Sequence, residues 1–152
     1  MNLAFVGQMV QGAMTHDSAL LEGRVKRAMA MRQSSMLQQQ AADADARGGV
    51  AAGLERMKGS QLEGQQATGY AASGVDAGSG SPARAMLDTR MMTDLDAQTI
   101  KGNAAREAWG YSTKADLAFT QGQIDYKAGQ DKADAAEATA LTAPLNSISF
   151  LS

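Results

Sequence analysis

Only one stretch of this 152-residue chain carries the chemistry of a reversal. It reads GYAASGVDAGSGSPARAML, from Gly69 to Leu87, with long helix-favouring arms on either side. Ser73–Gly74 suits a helix end, because glycine just past the last turn takes the left-handed conformation without a Cβ clash. Ser81–Pro82 suits a helix start. Serine caps free backbone N–H groups, and the donor that proline lacks is not needed in the first turn. Between them, Asp76 can bond nearby backbone, and Gly78 and Gly80 allow angles that other residues resist. One reversal, at 74–81, therefore predicts one connection and two helices.

Both arms show helical spacing. In the first, Leu21, Val25, Ala28, Arg32 and Met36 recur at intervals of three and four. The pattern resumes with Val50, Leu54, Met57 and Gln61. In the second, Leu87, Met91 and Leu95 define one face, and Ile100, Ala104, Ala108 and Tyr111 a neighbouring one. No β-branched run with period-two alternation interrupts them. The expected fold is all-α, a long helical hairpin that is extended rather than globular, since an arm of fifty to sixty residues would measure roughly 75–90 Å. The expected organisation is an N-terminal apolar segment at 1–18, the hairpin at 19–143 and a tail at 144–152. Thr15 or Asp17 would cap the first helix. Pro144 would stop the second, leaving Leu145, Ile148 and Phe150 in the tail.

Composition bears on stability. Aromatic residues make up only 5% of the chain, against 16 glycines and 10 methionines. Large side chains supply most of the area that drives core formation, at roughly 25 cal/mol per Å². Alanine makes good helices but contributes little burial. Interior glycines at 48, 49, 53, 59, 64 and 69 each weaken a helix by roughly 1 kcal/mol relative to alanine. Such glycines imply close approach of a second backbone; at Arg47–Val50 a kink is the equal alternative. The chain is thus expected to gain stability from neighbours. Leu54, Met57, Leu87, Met91, Leu95, Ile100 and Trp109 are the candidate residues for helix packing or oligomer contact. Met36, Met57 and Met91 read most simply as filling between the two helices.

Signals for chemistry are weak. GSGSPA (Gly78 to Ala83) fits a loose dinucleotide pattern but lacks the preceding strand that the pattern needs. His16, beside Asp17, is the sole histidine, and the chain has no cysteine, so no triad or thiolate metal site is expected. No cofactor, metal or catalytic residue is expected, and an enzyme is the least expected class. Trp109 and Tyr111 read as an anchor between helices, ahead of a membrane-interface role. Net charge is −2, so DNA contact should be at most non-specific. The apolar start MNLAFVGQMV lacks basic residues and suits a protein partner better than anionic lipid.

ASGVDAGSGSP (Ala72 to Pro82), followed by DAQTIKGNAAREAWGY (Asp96 to Tyr111), resembles the small internal virion, or ejection, proteins of short-tailed bacteriophages. Ile100, Asn103, Ala104, Glu107, Ala108 and Trp109 carry the second part of that resemblance, which covers about Gln33 to Tyr126. It implies a homo-oligomeric virion protein near the portal, with portal, tail or larger internal proteins as partners. It further implies departure through the tail, help in building a conduit for DNA across the host envelope, and association with the host outer membrane. A ring or tube of hairpins, with Ser73–Pro82 at one rim, fits those expectations. The competing readings are a neck, tail or capsid-lining subunit that stays in the particle, and a secretion-needle-like filament subunit.

Overall fold

The structure, a computed structural model, describes the backbone of residues 3–146 and the side chains of residues 10–140. Two helices, α1 (Leu3–Ala72) and α2 (Gly80–Asn146), pack against each other as an antiparallel hairpin. Among the described residues there is no strand. The all-α hairpin expected from the sequence is the fold observed.

The reversal works as its residues dictate. Gly74 has φ +72°. The Gly74 N–H donates to the Ala71 carbonyl at 3.1 Å, and the Val75 N–H to the Tyr70 carbonyl at 3.0 Å. This pair of bonds closes a helix end around a left-handed glycine. Asp76 then accepts twice, from the Gly78 N–H at 2.9 Å and the Ser79 hydroxyl at 2.8 Å. Those two donors, the backbone one first, hold its carboxyl below the usual aspartate range. Gly80, with φ +65°, opens α2.

Several boundaries differ from expectation. Ser81 does not precede α2 but lies inside its first turn, and the serine hydroxyl engaged before the helix is that of Ser79. Residues 3–18 are not a separate segment, because α1 begins at Leu3. Thr15 and Asp17 are therefore interior. The Thr15 hydroxyl turns back to the Gln11 and Gly12 carbonyls at 3.0 and 2.9 Å, bonds that compete with capping. No break occurs at Gly48–Gly49. Pro144 does not end α2, which runs to Asn146, because near a helix end the lost donor removes a single bond. Ile148 and Phe150 lie outside the described residues.

The hairpin comprises two compact units. In the turn-proximal unit, residues 38–113, the buried line on α1 includes Ala41, Ala44, Gly48, Ala52 and Gly59, and on α2 Ala97 and Ala104. Half-buried Thr93, Ile100, Ala108 and Tyr111 continue the α2 line. A methyl group at Gly48 would collide with Ala104 Cβ, and one at Gly59 with the Thr93 side chain. Polar bonds join the helices beside this line: Arg47 to Glu107 at 3.2 Å, Arg56 to Asp94 at 3.1 Å, Arg90 to Glu63 at 2.7 Å, and the Gln66 amide to the Thr89 hydroxyl at 3.0 Å.

In the terminal unit, formed by the residues up to Leu37 and from Lys114 onward, the helices meet at glycine. A methyl on Gly129 would stand 2.9 Å from the Ala19 carbonyl oxygen and 3.0 Å from Gly23 Cα. Methyl groups on Gly12 and Gly122 would each come to 2.5 Å from an alanine Cβ, of Ala140 and Ala30 respectively. Arg27 lies over the Tyr126 ring, its Cζ 4.9 Å from the centroid. Buried Ser34, Ala115 and Ala133 complete the line. Small side chains gain little by burial, about 0.8 kcal/mol per CH₂. Their advantage is that the two backbones come close enough for dispersion contact along their length.

Candidate functional site

The outer faces of the helices are the notable surface. The fully buried hydrophobic residues among those described are all alanines, while large apolar side chains stand exposed. This arrangement follows from helical geometry. Leu87, Met91 and Leu95 each precede a seam residue (Thr89, Thr93, Ala97) by two positions, roughly 200° around the helix. They therefore point away from α1. Val50 and Met57 stand in the same relation to Ala52 and Gly59 on α1. In the terminal unit Leu21 and Val25 precede Gly23 and Arg27 likewise, and Ile124 precedes Tyr126.

The sequence-predicted packing residues divide accordingly. Ile100 is half-buried at the seam, with Ala104, Ala108 and Tyr111 on its stripe. Leu54, Met57, Leu87, Met91, Leu95 and Trp109 are exposed, Trp109 to 72%. The reading of Met36, Met57 and Met91 as filling between the helices is corrected, since all three face outward. Trp109 likewise does not anchor the two helices to each other. The reason is steric: with glycine and alanine on the facing lines, the backbones are too close to admit long side chains.

Features that spacing by large residues misses are Gly23 with Gly129, Arg27 with Tyr126, and the threonines at 89 and 93. The signal was present as a line of small residues, Gly23, Ala30, Ser34, Ala41, Ala44 and Gly48, at helical intervals. Arg27 sits in that line with its guanidinium on an aromatic face, an interaction worth roughly 0.5–2 kcal/mol. Its Nε is buried without a hydrogen-bond partner among the described residues.

Some of the charges pair with neighbours on the hairpin. Lys26 and Glu22 pair at 2.6 Å on α1; that hydrogen bond, with their mutual attraction, lowers the Glu22 pKa and raises that of Lys26. Arg90 is engaged by both Glu63 oxygens, at 3.2 and 2.7 Å, which raises its pKa further. Arg106 turns along α2 to the Asn103 carbonyl oxygen, whereas Glu107 reaches across to Arg47. His16 Nδ1 lies 3.3 Å from Asp17 Oδ1 on α1.

Grooves mark these surfaces in both units. In the terminal unit a groove of about 670 Å³ is lined by Met29, Leu37 and Leu117 with Lys26, Gln33 and Gln121. In the turn-proximal unit a groove of about 710 Å³ is lined by α1 alone, from Gln61 and Gly64 to Gly69 and Ala72. Among the described residues no group of three histidines or carboxylates could hold a metal, and no helix is long and apolar enough to cross a membrane. No protein-family model, curated protein or solved structure matches the chain.

Proposed function

We propose that the chain is a bacteriophage virion structural protein of the internal, or ejection, class. In this reading it oligomerises near the portal–tail axis and helps form a conduit for DNA across the host envelope. Copies of itself and the portal, tail or larger internal proteins are its partners. It resides in the virion and reaches the host envelope, including the outer membrane, after ejection. It has no catalytic role.

The observation that carries this reading is the separation of small from large side chains. A hairpin closed by alanine and glycine leaves most of its leucines and methionines, and Trp109, outward. A protein that must first pass a narrow channel and then assemble needs a slender unit with unspent apolar surface. Partners that bind this surface stabilise the fold by mass action. The resemblance of the reversal and of the Ile100–Trp109 segment to ejection proteins supplies the biological setting.

Mass spectrometry of purified particles, before and after DNA release, tests it. The chain should be present in full particles and depleted from emptied ones. Equal amounts in both would make it a retained neck, tail or capsid-lining subunit. Absence from both would overturn the virion assignment and leave a secretion-needle-like filament as the reading to pursue.

A further inference from the structure

The chain has 10 methionines and no cysteine, and folding leaves most of the described methionines outside the helix–helix contact. In the terminal unit Met14, Met29, Met31 and Met36 are 41–70% exposed, and in the turn-proximal unit Met57, Met91 and Met92 are 55–62% exposed. Met86 alone among the described methionines is half-buried. The seam does not use the exposed ones. Its buried hydrophobic residues are alanines, and the atoms that crowd Gly48, Gly59, Gly122 and Gly129 belong to alanine, threonine or main chain.

Methionine usually fills irregular gaps in a core, where its oxidation disrupts packing. Here the same reaction would fall on side chains that stand away from the buried line. It needs a peroxide and access, and no protein group. A lone pair on the thioether sulfur attacks one oxygen of hydrogen peroxide, the O–O bond breaks, and the other oxygen leaves as hydroxide. The hydroxide takes the proton of the new sulfur-bound hydroxyl, which leaves a sulfoxide and water. The sulfur has lost two electrons and the peroxide has gained them. Each event puts a polar oxygen where an apolar thioether stood. At Met29 that oxygen would enter the groove lined by Leu37 and Leu117. At Met91 it would stand between the outward Leu87 and Leu95.

We propose that the outward methionines are reversible oxidation sites, at which a peroxide makes the outer faces polar while the hairpin stays folded. Fold and surface are separable in this chain because different residues carry them. Alanine and glycine close the seam and offer a peroxide nothing to attack. The methionines supply much of the outward apolar surface and are open to it. Methionine sulfoxide reductases, which return the sulfoxide to the thioether, would restore the apolar face. This inference rests on where these side chains stand and not on the virion setting, so the chain's absence from particles would leave it intact.

The test treats the full-length chain with hydrogen peroxide, at a dilution where sedimentation gives a single hairpin, beside a free methionine derivative in the same tube. Peptide mass spectrometry follows each site. Met29, Met36, Met57 and Met91 should each gain one oxygen at a rate within about threefold of the free compound, as accessible thioethers do. Met86 should react several-fold more slowly. Retention on a hydrophobic-interaction column should fall, while helical circular dichroism and the melting midpoint stay where they were. Reductase treatment should bring the retention back. Outward methionines as slow as Met86, unchanged retention after complete oxidation, or loss of helix as the sulfoxides accumulate would each overturn the proposal.

Discussion

In the terminal unit Gly12, Gly23, Gly122 and Gly129 all face the opposing helix, with protein atoms where a side chain would go. In the turn-proximal unit Gly49, Gly53, Gly64, Gly69, Gly102 and Gly110 have nothing within 4 Å of that position, and only Gly48 and Gly59 face the partner helix. The same residue thus serves two ends. Against a second backbone it permits contact that any Cβ would forbid. Facing outward it weakens its helix by roughly 1 kcal/mol relative to alanine and returns nothing within the hairpin. Polar bonds across the turn-proximal seam, such as Arg90–Glu63 and Gln66–Thr89, offset some of that deficit and fix the register. In the terminal unit the Lys26–Glu22 ion pair and the His16–Asp17 contact join neighbours on one helix, and glycine contact with the Arg27–Tyr126 stack sets the alignment.

The sharpest way to break this comparison is to put a methyl group into each kind of site. Gly129→Ala would drive its Cβ against backbone atoms of Ala19 and Gly23 that cannot rotate away. It should cost roughly 1–3 kcal/mol, as overpacking does, seen as a lower denaturation midpoint by circular dichroism. Gly59→Ala would meet both γ atoms and the Cβ of Thr93, and turning the threonine cannot move that Cβ, so a comparable loss is expected there. A neutral result at either site would show that the crossing does not need glycine.

Next in size are the outward glycines. Gly49→Ala and Gly53→Ala should each stabilise the hairpin by roughly 0.5–1 kcal/mol, read from the same melts. A loss at either position would mean that these glycines answer to some intramolecular demand. Replacing Tyr126 by leucine, which removes the aromatic face beneath Arg27, should destabilise the terminal unit by about 1 kcal/mol. A neutral result would show that the stack adds nothing to alignment there.

The smallest effects are electrostatic. Glu63→Gln should lower the melting temperature slightly in dilute buffer, and the difference should fade in high salt, where exposed charges are screened. The turn has its own pH response. Asp76 has a folded-state pKa below its ordinary value, so its contribution is present at neutral pH. It is lost as pH falls through the ordinary aspartate range and past the folded value. The wild-type and Asp76→Ala melting curves should therefore converge in acid. A gap that persists there would assign the effect to something other than the carboxylate.

Local features were readable from the sequence because their causes are local. Gly74 and Asp76 act through bonds to residues within five positions, and the spacing alone announces them. The Ile100, Ala104, Ala108, Tyr111 stripe was legible as a face for the same reason. What spacing does not say is which of two faces meets the partner helix. Leu87, Met91 and Leu95 are large and regularly placed, so burial arithmetic favours them. The hairpin instead closes on Thr89, Thr93 and Ala97, because a glycine- and alanine-lined approach excludes long side chains. Gly48 and Gly49 show the limit most plainly. They are adjacent and identical, yet one faces Ala104 and the other faces nothing.

That register also constrains how such a chain can change in length. Gly48 and Gly59 stand eleven residues apart on α1, as do Thr93 and Ala104 on α2; Gly12 and Gly23 match Gly129 and Ala140 in the same way. A single codon gained or lost between such crossings would rotate every later contact by about 100° and carry its small residues off the seam. Viable insertions and deletions should therefore come as mirrored events in both arms, in steps of about three helical turns, or be confined to Val75–Ser79.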